Sequence, residues 1–492
     1  MSPLRDPHHV IVIGAGIGGL AAACDLAAGG VQVTLLERHA RPGGKMRQIS
    51  VGDALIDSGP TVFTMRWIFD DLFAALGESL DDHLRLLPVD RLARHSWLDG
   101  SQLDLFADVD RSIGAIADFA GAAEARAYRR FVDQSQSIFE TLDHSFMRTQ
   151  KPGPVGLALS LGLRGLPRLL ATRPFISLWK ELGRIFGDPR LRQLFGRYAT
   201  YCGSSPFAAP ATLMLIAHAE RAGVWLVEGG MQRLADTLAE VARNHGATTH
   251  FNTHVERLEI RSGRVTGVTL GDGQTLAADA VVFNGDTAAL ADGRLGRAAT
   301  AAAKGRKEPS LSAMTWSMLA QPQGFDLAHH TVFFSNDYRE EFDSLFTRHT
   351  VSATPTVYVC AQDRGPGRQA AGAERIFCLI NAPARELSAS EAELFERYTF
   401  DCLRGHGLML ADVDERSVRT TPADFARLFP ATRGALYGRP THGWNGSFAR
   451  PGARARIRGL YFAGGSVHPG PGVPMTAMSG RLAAANLRDD FD

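Results

Sequence analysis

Cysteine is scarce in this chain of 492 residues, and its five cysteines are widely scattered. They are an odd number and form no C-x-x-C pair: Cys24, Cys202, Cys360, Cys378 and Cys402. Disulfide frameworks and zinc sites both depend on paired or closely spaced cysteines. The sequence therefore indicates neither, and it favours a reducing compartment. The histidines also lack an H-x-x-x-H pattern with a following acid, so we expect no bound metal ion.

Neither an excess of charge nor a long apolar run is present. The formal net charge is +1, with 53 Lys and Arg against 52 Asp and Glu, so we expect no nucleic acid partner. No uninterrupted apolar run reaches the length of a transmembrane helix. The first residues lead directly into a glycine-rich segment and not into the apolar core of a signal peptide. These absences predict a cytoplasmic protein, soluble or peripheral to a membrane.

Glycine, in contrast, is abundant at 51 residues, and its first cluster predicts a nucleotide site. The β-branched run at residues 10–13 predicts a buried parallel strand. The G-x-G-x-x-G spacing that follows suits a tight turn, a close approach to pyrophosphate and helix packing, and is filled by Gly14, Gly16 and Gly19. A second predicted strand, at residues 31–36, ends in Glu37, which can accept the ribose hydroxyls and disfavours a 2′-phosphate. We therefore expect a dinucleotide other than NADP.

Two more rigid turns follow this acid and favour FAD over NAD. The stretch "RHARPGGKM" places Gly43, Gly44 and Lys45 in a second glycine turn. The stretch "DSGPTVFT" then supplies Gly59, Pro60 and Thr61. An NAD dehydrogenase needs only the first βαβ unit for its cofactor, so further turns suit a longer one. The chain has no second G-x-G-x-x-G, which argues against a reductase that holds flavin and nicotinamide together.

Four segments resemble the amine oxidase and phytoene desaturase superfamily of FAD proteins. Residues 10–61 resemble its N-terminal FAD motif, and residues 225–258 resemble its second FAD region. The stretch "AVVFNGD", residues 280–286, resembles the strand that returns to the FAD domain, and "GLYFAGGSVHPGPGVPMTAMSG", residues 459–480, resembles the C-terminal flavin motif. The resemblance implies further FAD contacts at Arg38, Val255, Asn284, Gly464, Gly465, Gly472, Val473, Pro474 and Met475.

The residues of the C-terminal motif resemble those of one branch of that superfamily. Amine oxidases usually carry an acid where this chain has Gly465, whereas "HPG" at residues 468–470 resembles bacterial carotenoid desaturases. Together with "VYVCAQDR" and "FCLINAP", the stretch "GGSVHPGPGVPM" is more similar to the 1-hydroxycarotenoid 3,4-desaturase (methoxyneurosporene desaturase) branch than to phytoene desaturases. His468 is a candidate proton acceptor beside the flavin, although a role as a hydrogen-bonded turn residue explains it equally well.

Residues 151–184 are apolar and basic together. They contain a single acid, Glu181, and six cations: Lys151, Arg164, Arg168, Arg173, Lys180 and Arg184. This composition suits a segment that lies in an anionic membrane surface, although a pair of core helices with solvated cations would also fit it. The resemblance to carotenoid desaturases favours the membrane, because such substrates reside in the bilayer.

These observations predict an α/β protein with a discontinuous Rossmann-like FAD-binding domain, a mixed-sheet substrate domain and a helical membrane-associating region. The FAD domain is expected to comprise residues 1–85, 223–292 and 441–492. The substrate and helical region is expected at 86–222 and the substrate-domain sheet at 293–440.

The resemblance implies an FAD-dependent desaturase that forms a C-3,4 double bond in an acyclic 1-hydroxy- or 1-methoxycarotenoid. Flavin is expected to take the hydride, and quinone or oxygen to be the final electron acceptor, at the cytoplasmic face of the inner membrane. Three alternatives stay open: a phytoene-type multistep desaturase, a flavin amine or protoporphyrinogen-type oxidase, and a non-catalytic prenyl-binding escort protein.

Overall fold

The computed structural model describes residues 8–150, 152–305, 308–365 and 372–491, except for the side chains of residues 160, 161 and 163–166. The strands are β1 (His9–Ile13), β2 (Gln32–Leu36), β3 (Gln48–Val51), β4 (Ala54–Asp57), β5 (Phe63–Thr64), β6 (Leu86–Pro88), β7 (Arg91–Ser96), β8 (Gln102–Phe106), β9 (Val224–Val227), β10 (Thr248–His250), β11 (Val255–Arg261), β12 (Arg264–Leu270), β13 (Thr275–Ala277), β14 (Ala280–Phe283), β15 (Ser312–Gln323), β16 (His330–Phe333), β17 (Val357–Ala361), β18 (Glu374–Ala382), β19 (Met409–Ala411), β20 (Val418–Thr420) and β21 (Leu460–Phe462). The α-helices are α1 (Ile17–Ala28), α2 (Trp67–Ala75), α3 (Val109–Ala120), α4 (Ala122–Leu142), α5 (Pro154–Ala171), α6 (Leu178–Ile185), α7 (Pro189–Gly196), α8 (Leu215–Arg221), α9 (Gln232–Asn244), α10 (Thr287–Ala291), α11 (Tyr338–Asp343), α12 (Ala389–Gly405), α13 (Pro422–Leu428) and α14 (Val473–Phe491).

A five-stranded parallel sheet joins three distant parts of the chain. Its order is β10-β2-β1-β14-β21, and every neighbouring pair is parallel. The centre of β1 is fully buried, as expected for a parallel strand that is covered on both faces. The strands come from the beginning, middle and end of the chain, as a discontinuous nucleotide-binding domain requires. The residue boundaries given above for that domain stay a prediction.

Helices α1 and α14 pack against each other at glycines. A β-carbon built on Gly480 would lie 2.0 Å from the carbonyl oxygen of Gly18. The absence of side chains at this crossing lets the two backbones approach closely. The C-terminal helix is therefore fixed against the helix that follows the first nucleotide-binding turn.

The second large sheet is eight-stranded, with the order β19-β15-β18-β17-β16-β7-β8 and β20 paired to β15. It is mixed, because β16 and β7 are parallel while the other pairs are antiparallel. The register pairs Val332 with Tyr358, Tyr358 with Leu379 and Leu379 with Thr315, so these four residues share one face. Strands β7 and β8 add a hairpin from the region that sequence analysis treated as mainly helical.

Helices cover the open side of this sheet. The stretch 187–223 forms α7, a 3-10 helix at Arg197–Cys202, another at Ala211–Met214, and α8. Helix α5 contains Pro167 and bends at Gly162, whose φ is 64°. Within the residues that the structure describes, none of the helices has the length and hydropathy that crossing a bilayer requires.

We predict that replacing Gly480 with alanine lowers the free energy of unfolding by about 1–3 kcal/mol, because the methyl group overpacks the α1–α14 contact. The matched control is Gly114→Ala in α3, where an added β-carbon meets no atom within 4 Å. This control should be neutral or stabilise by about 0.5–1 kcal/mol, since alanine is the better helix former. Urea unfolding of both variants measures the difference, and equal stability of Gly480→Ala and wild type would contradict the packing argument.

Candidate functional site

A cavity of about 900 Å³ extends from the carboxyl ends of the parallel strands to the face of the eight-stranded sheet. Its lining includes the strand-end residues Ile13, Leu36 and Phe283. Ligands of open α/β sheets bind at this edge, because the loops that follow parallel strands converge there. The volume lies at the upper end of the usual range for ligand cavities.

The two glycine turns close on each other at the nucleotide end of the cavity. The Gly14 amide donates to the Leu36 carbonyl at 2.8 Å, and the Gly43 amide donates to the Ala15 carbonyl at 2.8 Å. Gly43 has a φ of 116°, and a β-carbon there would lie 2.2 Å from the Met46 carbonyl oxygen, so only glycine fits. The turns thus present bare backbone to the cavity, as close approach to a pyrophosphate requires.

Asn284 and Glu37 hydrogen-bond to the backbone of the first glycine turn. The Asn284 side-chain amide donates to the Gly14 carbonyl at 3.1 Å. The Glu37 carboxylate accepts from the backbone amides of Ala15 at 2.7 Å and His39 at 2.8 Å. A carboxylate offers about four acceptor positions, so Glu37 keeps capacity for a ribose diol at the cavity wall.

The C-terminal turn forms the opposite wall. The Gly464 amide donates to the Ser479 hydroxyl at 3.0 Å. The buried Arg450 donates to the carbonyls of Tyr437 at 3.0 Å, Gly465 at 3.2 Å and Arg439 at 2.8 Å, and burial lowers its pKa to about 10. Helix α14 begins in this wall, where its first amides lack intrahelical acceptors and suit a negatively polarised group.

The structure brings nearly all predicted cofactor residues to this one cavity. Those that line it are Gly14, Gly16, Glu37, Arg38, Gly43, Gly44, Lys45, Gly59, Pro60, Thr61, Val255, Asn284, Gly464, Gly465, Gly472, Val473, Pro474 and Met475. The exception is Gly19, whose added β-carbon would lie 2.1 Å from the Gly14 carbonyl oxygen, which fits its predicted packing role. Backbone turns, an acid and a helix N-terminus in this arrangement fit FAD.

Sequence reasoning missed several residues of this wall. Ser58, Thr253, His254, Ser466 and Thr476 also line the cavity, and each is a chain neighbour of a motif residue. Arg450 carried no signal in the sequence, because its partners lie 11 to 15 residues away in irregular turns.

His468 packs behind the C-terminal turn. Its peptide bond to Pro469 is cis, and its ring lies edge-on to Phe146 at 4.8 Å between centroids. Its Nε2 hydrogen-bonds to the Thr149 carbonyl at 3.0 Å. Pro469 and Gly470 line the cavity, but His468 is absent from the described lining. Its candidacy as a proton acceptor thus gains no geometric support.

The rest of the cavity is a predominantly apolar chamber between the helices and the eight-stranded sheet. Its apolar lining includes Leu142, Phe146, Met147, Leu157, Leu213, Ile216, Val332, Phe377 and Leu379. A few polar side chains interrupt it: Arg197, Tyr201, Glu220, Tyr338, Glu341 and Tyr358. The Tyr358 hydroxyl lies 2.6 Å from the hydroxyl of Thr61, so the sheet contacts the predicted flavin turn directly.

One group of potential metal ligands escaped the sequence analysis. The side chains of His329, His330 and Cys360 offer ligand atoms within 4.8 Å of one another. Burial raises the pKa of the Cys360 thiol to about 12, which disfavours the thiolate that a metal binds. We therefore assign no metal to this group.

Comparisons with known proteins agree with this geometry. Residues 17–488 match the model of the family described as flavin containing amine oxidoreductase. The chain is 49% identical to a hydroxyneurosporene desaturase of Rubrivivax gelatinosus, covering 100% of this chain and 95% of that protein. It is 46% identical to a hydroxyneurosporene desaturase of Cereibacter sphaeroides, covering 98% of each. A solved oxidoreductase of Methanosarcina mazei has the same fold, with a TM-score of 0.59 and 16% identity over 98% of this chain and 100% of that one.

We predict that Gly16→Val abolishes stoichiometric FAD in the purified protein. An added β-carbon would lie 2.8 Å from the Asn284 side-chain nitrogen, and the larger side chain would occupy the turn that is predicted to hold the pyrophosphate. Gly114→Val, which adds the same side chain to an open surface, should retain the flavin. Flavin absorbance per protein after gel filtration is the measurement, and stoichiometric FAD in Gly16→Val would show that the site is wrongly assigned.

Proposed function

The chain belongs to the flavin-containing amine oxidoreductase family, among its carotenoid desaturases, and from this premise we propose that it desaturates the C-3,4 bond of an acyclic 1-hydroxy- or 1-methoxycarotenoid. It is an oxidoreductase with FAD as its cofactor. The proposal of this substrate rests on the two relatives described above, which are hydroxyneurosporene desaturases and share nearly half of their residues with this chain.

A single observation carries the proposal: the FAD-binding turns and a long apolar chamber belong to the same cavity. A polyene hydrocarbon chain needs an apolar wall along its length, and its reacting bond must lie beside the flavin. The Thr61–Tyr358 contact supports this arrangement, because it joins the flavin turn to the sheet that forms the chamber wall. The predominantly apolar lining favours a hydrocarbon substrate over an amine, and an escort protein would not need a complete FAD site.

Bound FAD supplies the acceptor for the hydride that leaves the substrate. The chain's own contribution is placement and exclusion of water. Arg450 and Asn284 fix the two turns that face each other across the cofactor site, so that the reacting bond can be held in one position. The apolar side chains of Val332, Phe377 and Leu379 keep water from the polyene.

Exposed apolar side chains beside the chamber support entry from a membrane. Leu170, Phe175 and Trp444 line the cavity and are also exposed, Phe175 by 69%. Val155 and Leu159 are exposed by 72% and 75% on α5, the helix that contributes the lining residue Leu157. We call these five residues the apolar rim. Large exposed apolar side chains suit insertion into a lipid surface.

Ion pairing reduces the charge that sequence analysis assigned to this segment. Glu181 is buried and lies 3.6 Å from Arg173 and 3.1 Å from Arg184, so these two cations are neutralised in part. Arg168 and Lys180 are exposed, whereas Lys151 and the side chain of Arg164 lie outside the described residues. We therefore propose that the apolar rim drives peripheral binding to the cytoplasmic face of the inner membrane, with a smaller electrostatic contribution. Quinone within that membrane, or oxygen, is the proposed electron acceptor.

For the substrate, we predict that the purified protein in liposomes converts 1-hydroxyneurosporene and leaves phytoene unchanged. A 3,4-desaturase extends an existing polyene and needs one bond beside the flavin, whereas phytoene requires a series of positions along the chain. Pigment chromatography after separate incubation with phytoene, neurosporene and 1-hydroxyneurosporene is the measurement. Conversion of phytoene without conversion of the hydroxylated carotenoid would transfer the chain to the phytoene branch.

For the membrane, we predict that the double variant Leu159→Ser/Phe175→Ser binds liposomes at least roughly tenfold more weakly in a pelleting assay. The reason is that each large apolar side chain contributes up to about 1.5–3 kcal/mol when it is buried. Met409→Ser/Val413→Ser is the matched control, since these residues are exposed by 52% and 43% near the outer edge of the eight-stranded sheet. Replacing Arg164, Arg168 and Arg173 with Glu should weaken binding to anionic vesicles only, and less so in high salt. Equal pelleting of the rim variant and its control would refute the rim.

A further inference from the structure

A cluster of polar side chains interrupts the apolar chamber at the 3-10 helix Arg197–Cys202 and helix α8. Glu220 accepts hydrogen bonds from the hydroxyls of Tyr198 and, at 3.0 Å, Tyr201. Arg197 donates to the Tyr201 hydroxyl at 3.1 Å and stacks over that ring at 5.1 Å from its centroid. Arg197, Tyr201 and Glu220 all line the cavity. Burial of a polar group costs free energy unless hydrogen bonds replace the water that it loses, and these bonds within the cluster do so in part.

Arg197 retains hydrogen-bonding capacity. Among the described residues its one side-chain hydrogen bond runs from a terminal nitrogen to the Tyr201 hydroxyl, and its Nε is buried without a partner. Burial lowers the pKa of Arg197, but Tyr201 and Glu220 outweigh this effect and raise the pKa overall, so the guanidinium stays charged. Part of the side chain remains accessible although protein surrounds it, and this accessible surface faces the cavity. An arginine carries five N–H donors, of which the protein uses few here.

This cluster and the part of the sheet that contacts the flavin turn line the same cavity. Arg197, Tyr201 and Glu220 line it, and so do Tyr358 and Thr61. The Tyr358 hydroxyl lies 2.6 Å from the hydroxyl of Thr61 and 2.7 Å from the Nδ1 of His330. The cluster and the flavin turn therefore face one common chamber.

The chemistry of the proposed substrate requires a polar group at such a place. In a 1-oxygenated carotenoid, three single bonds of about 1.5 Å each separate the oxygen from C-3. The oxygen thus lies beside the reacting bond, while the polyene extends away from it. A group that recognises this oxygen must be inside the cavity near the flavin, and not at the mouth.

We infer that Arg197, positioned by Tyr201 and Glu220, binds the oxygen on C-1 of the substrate and thereby sets which carbons lie beside the flavin. This inference rests on the proposed function. An N–H donor serves both a hydroxyl and a methoxy oxygen, because each of them accepts hydrogen bonds. Arg197 therefore accounts for recognition of both substrate forms, whereas a carboxylate alone would bind only the hydroxyl.

The other buried acid of the chamber is less suited to this role. Glu341 already accepts from the hydroxyls of Ser335 and Thr356, both at 2.7 Å, and from the Thr356 amide at 3.2 Å. Its oxygens are thus largely occupied by groups of the protein. Burial raises its pKa to about 7, and the hydrogen bonds from Thr356 and Ser335 oppose this rise.

The test measures substrate preference in three variants: Arg197→Met, Arg197→Lys and Tyr201→Phe. Quenching of protein fluorescence measures the equilibrium binding of 1-hydroxyneurosporene, its methoxy form and neurosporene, in both flavin-free and FAD-loaded protein. The kcat/KM for each carotenoid is measured separately. Tyr437→Phe is the matched control, because Tyr437 lines the same cavity outside the cluster. FAD content and Tm confirm folding of each variant.

We expect that Arg197→Met lowers the preference for both oxygenated carotenoids over neurosporene by a factor on the order of 10 to 100. This is the change expected when a hydrogen bond from a charged group is lost. Arg197→Lys should retain part of the preference, Tyr201→Phe should lose several-fold, and Tyr437→Phe should match wild type. If Arg197→Met folds and keeps the wild-type preference, the inference is wrong. If Arg197→Met does not fold, the inference is overturned when Arg197→Lys and Tyr201→Phe both keep the wild-type preference. Wild-type protein that prefers no oxygenated carotenoid would instead refute the proposed function.

Discussion

The close approach of two glycine turns at the carboxyl end of the parallel sheet is the constraint on which the rest of the site depends. The Gly43–Ala15 hydrogen bond brings the second turn against the first, and Asn284 ties the first turn to β14. Because bare backbone forms this junction, a cofactor can lie across it without displacing side chains. The start of α14, which lines the same cavity, is positioned relative to this junction through the α1–α14 contact.

Local chemistry explains why the sequence could predict which turns meet at this cavity. Gly14, Glu37 and Gly472 act through the backbone geometry or charge of their own turn, and such effects leave a short motif. The first parallel strand could also be predicted, because full burial on both faces requires a continuous apolar run such as residues 10–13. The resemblance to a known family supplied the order in which distant motifs assemble.

The substrate chamber could not be predicted in the same way. Arg197, Glu220 and Tyr358 line one cavity only because the 3-10 helix Arg197–Cys202, α8 and β17 pack around it, and no spacing in the sequence indicates that packing. Arg450 is a similar case, since its function depends on three carbonyls in irregular turns. His468 shows the converse: a conspicuous motif residue can serve the turn itself, with its ring directed to Thr149.

The arrangement of the five parallel strands also has a consequence for biosynthesis. Strand β21 and helix α14 lie at residues 460–491, yet they complete the wall that begins at residue 14. During translation the first nucleotide-binding turn is made more than 400 residues before its partner, so the flavin pocket stays incomplete until residues 460–491 have been made. Contacts of such large sequence separation form slowly. Flavin supply can then influence how much of the newly made protein reaches its native state.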